Sequence, residues 1–295
     1  MIIQAAPPFS FTECLHFLGR SAHECLHHAT GSHVRKLLKV NKEYVLFELS
    51  SDGKGQLELS FVNKTPSNHT IEAVQAYVTE WFDLQTDITP FYDLAVTDPV
   101  LQPLVEKYQG LRLIGIPDLF EALSWSVIGQ QINLKFAYTL KARYVEHFGE
   151  VYIYDGQQYY LHPKAEVIAK LEVADFMHLQ FNRKKAEYLI EIAKQITSGQ
   201  LDKSQLQQLD FKATHERLTN IRGIGNWTAN YVMMKCLKFQ DAFPIEDVGL
   251  HNAIKEQLEM DTKPTISEVH QLAENWDGWK AYATFYLWRS LIKHE

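Results

Sequence analysis

The amino-acid sequence predicts an α+β protein in which a small sheet domain precedes a mostly helical remainder. Across the first ninety residues, short runs rich in β-branched and aromatic side chains alternate with polar turns. From about Pro90 onward, apolar residues recur every three to four positions, the period of helices buried along one face. At 295 residues, 46% of them apolar, the chain is long enough for two or three domains.

Tyr44-Val-Leu-Phe-Glu-Leu49 and Gln56-Leu-Glu-Leu-Ser-Phe-Val62 read as strands, with Ser51-Asp-Gly-Lys-Gly55 supplying the turn between them. Ile71-Glu-Ala-Val-Gln-Ala-Tyr-Val-Thr-Glu-Trp-Phe82 has helical spacing. One stretch beyond Pro90 breaks the helical pattern. Val151-Tyr-Ile-Tyr-Asp-Gly-Gln-Gln-Tyr-Tyr-Leu-His162 carries Asp-Gly between aromatic runs and predicts a short β-hairpin. Leu218-Thr-Asn-Ile-Arg-Gly-Ile-Gly-Asn-Trp-Thr-Ala229 sets two glycines around one apolar residue, between amphipathic runs, and predicts a tight turn joining two helices. Pro244-Ile-Glu-Asp-Val-Gly-Leu-His-Asn-Ala-Ile254 places a turn before an apolar-periodic stretch, with Asp247 where a helix N-cap belongs.

Several function classes drop out on bulk properties. No apolar run reaches the length of a membrane span. Met-Ile-Ile-Gln-Ala-Ala-Pro-Pro8 lacks the basic start and long apolar stretch of a signal peptide, so a cytoplasmic location is expected. Three cysteines (Cys14, Cys25, Cys236) argue against a disulfide framework and cannot supply a four-cysteine iron–sulfur site. The net charge of −7 is unevenly spread. Residues 107–238 hold 17 Lys+Arg against 13 Asp+Glu, whereas residues 1–106 hold 7 against 13 and residues 239–295 hold 5 against 10. The basic surplus therefore coincides with the glycine turn, as a local nucleic-acid patch requires.

A hairpin of this kind leaves amide N–H groups at the start of its second helix, where a phosphate oxygen can dock. Asp247 follows Gly225 by 22 residues. This pairing of a backbone clamp with a downstream acid suggests an enzyme acting on DNA. The segment Leu218 to Ile254 resembles the signature of the helix-hairpin-helix DNA glycosylase superfamily. Phe120-Glu-Ala-Leu-Ser-Trp-Ser-Val-Ile-Gly-Gln-Gln131 is similar to that family's helix ending in Gly-Gln-Gln, and Trp279-Lys-Ala-Tyr-Ala-Thr-Phe-Tyr-Leu-Trp288 to its C-terminal helix. Over roughly residues 90–290 the resemblance is to the DNA-3-methyladenine glycosylase II type.

The resemblance implies residues 1–92 as the sheet domain and 119–239 as a helical subdomain bearing the hairpin. A second helical subdomain is built from 93–118 and 240–295, with a cleft between the two. It implies Asp247 as the catalytic acid, with the adjacent Glu246 outside the family register. An acid at a helix start can still face a cleft, so the N-cap and catalytic roles are compatible. Breaking an N-glycosidic bond builds oxocarbenium character on the sugar, which a carboxylate stabilises while it orients or deprotonates the attacking water. An N3- or N7-alkylated purine is already cationic and leaves as a neutral base, so no second acid is required. Lyase-competent relatives carry an amine nucleophile two positions after the last hairpin glycine. Here that position is Trp227, and a monofunctional hydrolase is expected. Lys235 and Lys238 lie further along the helix and are poor substitutes.

The resemblance further implies a base pocket of Trp227, Tyr231 and Trp279. The i, i+4 spacing of the first two puts them on one helix face; plain core packing is the alternative. Electron-rich ring faces favour a cationic base by about 0.5–2 kcal/mol per contact. Gln131 falls at the wedge position that enters the duplex after base flipping, with Gln130 the competing candidate. Gly223, Ile224, Gly225, Asn226 and Thr228 would contact the DNA backbone. The backbone carbonyls of Thr219, Ile221 and Gly223 would face a monovalent cation, and no other cofactor is expected. The expected partner is double-stranded DNA containing alkylated bases, bound by a monomer without membrane association. A glycosylase for neutral lesions, such as 8-oxoguanine or a deaminated base, is the nearest alternative activity. A non-catalytic DNA-structure-binding module is the alternative from another class. Cys14-x-His16 and Cys25-x-His27 do not have zinc-site spacing. Arg183-Lys-Lys185 reads as a solvated helix end or a phosphate contact.

Overall fold

The computed structural model describes residues 1–53 and 55–292, so Lys54 of the predicted turn lies outside the described residues. Five strands form one antiparallel sheet: β1 (Ile2–Gln4), β2 (His28–Ala29), β3 (His33–Val40), β4 (Glu43–Ser51) and β5 (Gln56–Phe61), in the order β1-β5-β4-β3-β2. β4 and β5 match the two strand-like runs, and β3 pairs with β4 from His33↔Ser50 to Val40↔Glu43. Val45, Phe47 and Leu49 of β4 alternate onto the main core, where the helix Asn68–Trp81 covers them with Val74, Val78 and Trp81. Ser67 caps that helix by accepting the Thr70 N–H (3.3 Å), which starts it one turn before the apolar run.

The remainder is helical apart from β6 (Glu150–Tyr154) and β7 (Gln157–Leu161). Asp155 (φ 49°) and Gly156 (φ 74°) make the turn between them, both in the left-handed region that a two-residue hairpin demands. This ribbon folds back onto the outer face of the sheet. Tyr159 packs with Leu37 and Leu46, and the Tyr44 and Tyr152 rings stack at 5.5 Å. A second tie is ionic. Both carboxylate oxygens of Glu24 accept from Lys141 Nζ at 2.8 Å, with both side chains nearly buried.

The segment 93–118 packs against the end of the chain. The Tyr92 and Tyr286 hydroxyls lie 2.8 Å apart, and the Trp276 indole donates to Asp98 (2.8 Å). One continuous apolar core runs from the sheet through the helices. The final helix, Lys280–Ser290, is buried on most sides. Arg289, fully buried, donates to Glu13 (3.0 and 2.8 Å) in the first helix, Phe11–Leu18.

Candidate active site

The glycine turn joins the helices Phe211–Thr219 and Asn226–Lys235. Asp210 caps the first by accepting the Ala213 N–H (2.7 Å). Gly223 has φ +93°, and an added Cβ would sit 2.4 Å from the Tyr188 ring, so both conformation and space demand glycine. Gly225 is extended (φ −91°, ψ −178°) with nothing within 4 Å of the Cβ position. Among the described residues no side chain caps the second helix, which leaves its first amides without a side-chain acceptor. Gly225 and Asn226 are exposed there, whereas Ile224 and Thr228 are buried. The Thr228 side chain is turned inward. Its hydroxyl accepts from the Gln130 side chain (3.0 Å), which also donates to the Gly223 carbonyl (2.9 Å). Gln130 thus latches the Gly-Gln-Gln turn to the hairpin, while Gln131 is exposed with φ 55°. The same turn is braced by Lys185, which is buried and donates to the Ile128 carbonyl (2.7 Å) instead of forming a solvated helix end. Of its two neighbours in the charge run, Arg183 pairs with Glu187 (2.9 Å).

Asp247 caps the helix Val248–Gln257 and at the same time faces the hairpin. Its Oδ1 accepts the Leu250 N–H (2.8 Å) and the Trp288 indole N–H (2.8 Å), and its Oδ2 accepts the Trp227 indole N–H (2.9 Å). Gly249 keeps this crowded corner open, since a Cβ there would lie 2.9 Å from Asp247 Oδ1. The His251 ring bridges the carbonyls of Ile245 (2.7 Å) and Pro264 (2.8 Å) and so fixes the loop that presents the acid. Glu246 points elsewhere, accepting from the Asn226 side chain (2.6 Å), which in turn contacts His215 (2.8 Å).

The Trp227 and Tyr231 rings stack at 5.4 Å, and Tyr231 meets Trp288 at 5.9 Å. Trp279 does not join them. It packs 5.9 Å from Phe91 and 5.6 Å from Tyr282, on the side of the final helix away from Asp247. The third aromatic is Trp288, nine residues on. At about 100° per residue, nine residues turn a helix by half a revolution, which separates the two indoles.

The fold agrees with the comparisons. The model of the "HhH-GPD superfamily base excision DNA repair protein" matches residues 124–277, and that of the "8-oxoguanine DNA glycosylase, N-terminal domain" matches residues 21–123. The chain belongs to the HhH-GPD superfamily. It is 42% identical to a DNA-3-methyladenine glycosylase of Bacillus subtilis, over 99% of this chain and 97% of that one. It is 28% identical to the DNA-3-methyladenine glycosylase 2 of Escherichia coli, over 72% of this chain and 70% of that one. A 3-methyladenine DNA glycosylase from Archaeoglobus fulgidus shares the fold with a TM-score of 0.83 at 23% identity, covering 98% and 97% of the two chains. An 8-oxoguanine glycosylase/lyase of Clostridium acetobutylicum shares it at 0.75 and 20%, covering 96% and 91%.

Within this HhH-GPD chain, neither downstream lysine reaches the catalytic corner. Lys235 is buried, donates to the Ile114 carbonyl and lies 4.6 Å over the Phe285 ring. Burial pulls its amine well below the ordinary lysine value. Lys238 pairs with Asp83 (3.6 Å). The cysteine–histidine pairs also serve packing: Cys14 and Cys25 are buried, and His27 meets the Leu18 carbonyl (3.1 Å).

The hairpin geometry separates two substitutions that look alike in sequence. Gly223→Ala would drive a methyl into Tyr188 and disturb folding. Gly225→Ala fits the backbone and should leave thermal stability within about 1 kcal/mol of wild type. Its methyl still stands where phosphate approaches, and duplex affinity should fall severalfold whether or not a lesion is present, because backbone contacts position the protein without reading sequence. Fluorescence anisotropy with matched lesion and control duplexes measures this. A loss confined to lesion DNA would move the hairpin from the backbone to the base pocket.

Proposed function

We propose that the chain is a monofunctional DNA glycosylase that flips alkylated purines out of the duplex and hydrolyses their N-glycosidic bond. The carrying observation is the Asp247 carboxylate held between the indole N–H groups of Trp227 and Trp288, with Trp227 occupying the position of the lyase lysine. A carboxylate offers about four acceptor sites. Three are taken by N–H donors, which fix the group without rotation and leave room for a water or the sugar. Its negative charge then stabilises the oxocarbenium-like sugar, and it receives the proton of the attacking water. Among the described residues no amine contacts it, so an abasic site is left intact. Gln131 enters the duplex as the wedge, since Gln130 is committed to the hairpin. The hairpin amides hold phosphate. The carbonyls of Thr219, Ile221 and Gly223 would hold a monovalent cation: those of Ile221 and Gly223 each accept one hydrogen bond and keep a second lone pair. Such an ion would add positive charge beneath the phosphate. The protein acts as a monomer on double-stranded DNA.

Incubation with methylated duplex should release 3-methyladenine and 7-methylguanine, with strand breaks appearing only after alkali. Breaks without alkali would overturn the monofunctional reading. The aromatic set makes a further prediction about charge. Trp227→Leu or Trp288→Leu removes a π face and, for every substrate alike, the indole N–H that Asp247 accepts. Single-turnover excision of cationic 7-methylguanine should fall roughly 5- to 30-fold further than that of neutral hypoxanthine, the equivalent of about 1–2 kcal/mol of cation–π energy. Trp279→Leu should leave that ratio alone. Equal losses for charged and neutral bases would reduce the aromatics to packing and to holding Asp247.

A further inference from the structure

We propose that Arg20, from the sheet domain, is a specificity-determining residue that donates to the 6-carbonyl of a flipped purine. This rests on the excision reading above. Tyr231 is shared between the indoles that hold Asp247 and a recess that the sheet domain closes. Arg20, Trp125 and Tyr138 wall that recess with it. The Trp125 and Tyr138 rings meet at 4.8 Å, and the Arg20 guanidinium carbon lies 5.6 Å from the Tyr138 ring centre. Burial pushes the Tyr231 phenol well above its ordinary value and the Arg20 guanidinium works against that shift, which places the two within electrostatic reach.

Arg20 is held, and although Glu24 and Glu121 line the same recess, Glu24 pairs with Lys141 and neither forms an ion pair with Arg20. Its Nη1 donates to the Phe17 carbonyl (2.6 Å), and its guanidinium carbon lies 3.9 Å from the Phe17 ring centre. Among the described residues, the arginines in ion pairs are Arg35, Arg183, Arg222 and Arg289. Arg20 is not one of them. A guanidinium has five N–H donors in a fixed fork, so most remain for a ligand.

A purine with its N9 at Asp247 that reaches past Tyr231 into this recess would lead with its six-membered ring, and hence with position 6. There 7-methylguanine and hypoxanthine carry a carbonyl acceptor, whereas 3-methyladenine carries an amino group whose N–H bonds oppose a guanidinium. The aromatic faces favour cationic bases of either kind. Arg20 would divide them by their position-6 chemistry, adding a repulsive element against adenine-type bases as well as an attractive one for 6-oxopurines.

The test is a ratio, which is insensitive to the fraction of folded protein. Single-turnover excision of 7-methylguanine, hypoxanthine and 3-methyladenine is measured for wild type, Arg20→Met and Arg20→Lys. In Arg20→Met, both 6-oxopurine rates should fall at least tenfold relative to the 3-methyladenine rate, the loss of one charge-assisted hydrogen bond. Arg20→Lys, which keeps a donor, should recover part of the ratio. Ratios within threefold of wild type in Arg20→Met would overturn the assignment and leave the excision reading standing. A wild-type protein that releases none of the three bases would instead sink the excision reading itself.

Discussion

Asp247→Asn is expected to lower single-turnover excision by about a thousandfold or more while lesion-duplex affinity survives, because the lost charge acts on the transition state. The substitution is unusually clean for the fold. Asparagine caps helices about as well as aspartate, so the bond from the Leu250 N–H can persist. What cannot persist is acceptance of both indoles. Rotated to cap the helix, the asparagine turns its Nδ2 toward the Trp227 indole N–H, donor against donor. The local arrangement loosens as the charge disappears. Glu246→Gln should cost far less, since Glu246 meets Asn226 and not the aromatic corner. Wild-type turnover in Asp247→Asn would remove this residue from the chemistry. A comparable loss in Glu246→Gln would show that the catalytic loop had been assigned in the wrong register.

The largest effect on stability should come from the sheet domain. Glu24→Gln leaves the Lys141 ammonium buried without its counter-charge, a change that costs about 3–5 kcal/mol when one member of a buried pair is removed. For a chain of this size, that corresponds to a melting temperature lower by roughly 10 °C. The Glu24 carboxylate also accepts the Cys25 and Leu26 N–H groups (3.0 and 2.9 Å), so the loop between the first helix and β2 should loosen too. The pH dependence has a definite sign. Burial alone would push the Glu24 carboxyl up, but the Lys141 ammonium more than reverses this and holds it far below the usual carboxylate range. The pair therefore contributes fully above the unfolded-state value of about 4.3 and loses its contribution progressively as pH falls below that. Denaturation midpoints for wild type and Glu24→Gln should converge on acidification from pH 7 to pH 2. Parallel profiles would mean that Glu24 stabilises the fold by shape and not by charge.

The two halves of the site differ in how visible they are in the sequence. The hairpin, Asp247 and the Trp227–Tyr231 pair are local: a glycine turn and an i, i+4 spacing settle which backbone turns and which rings align. Trp288 is not local in this sense. The helix Lys280–Ser290 buries Tyr282, Phe285, Tyr286 and Leu287 around most of its circumference, so no apolar stripe marks one face over another. Trp279 and Trp288 are then indistinguishable until Asp247 is placed. The division between Gln130 and Gln131 depends on one left-handed φ, and two adjacent glutamines carry no periodicity to signal it. Arg20 and Glu24 meet partners more than a hundred residues away, where a single sequence holds no pairing information. β3, whose Arg35, Lys36 and Lys39 break any apolar alternation, is fixed by its register with β4 more than by its own composition.

Adjacent residues of the final helix face in opposite directions, Trp288 to Asp247 and Arg289 to Glu13. Chains emerge from the ribosome N-terminus first. The clamp is complete once the helix Asn226–Lys235 has emerged, yet the carboxylate gains its second indole only 41 residues after Asp247 itself is made. The same helix also ties to Glu13 of the first helix, 276 residues away along the chain, so its docking needs that part of the fold in place. The second indole at Asp247 is therefore set only when the helix Lys280–Ser290 has packed against the first helix. Two neighbouring side chains of one helix thus couple the placement of the acid to closure of the whole fold: a molecule that has not docked this helix has its glycine turn but lacks the second donor that holds Asp247.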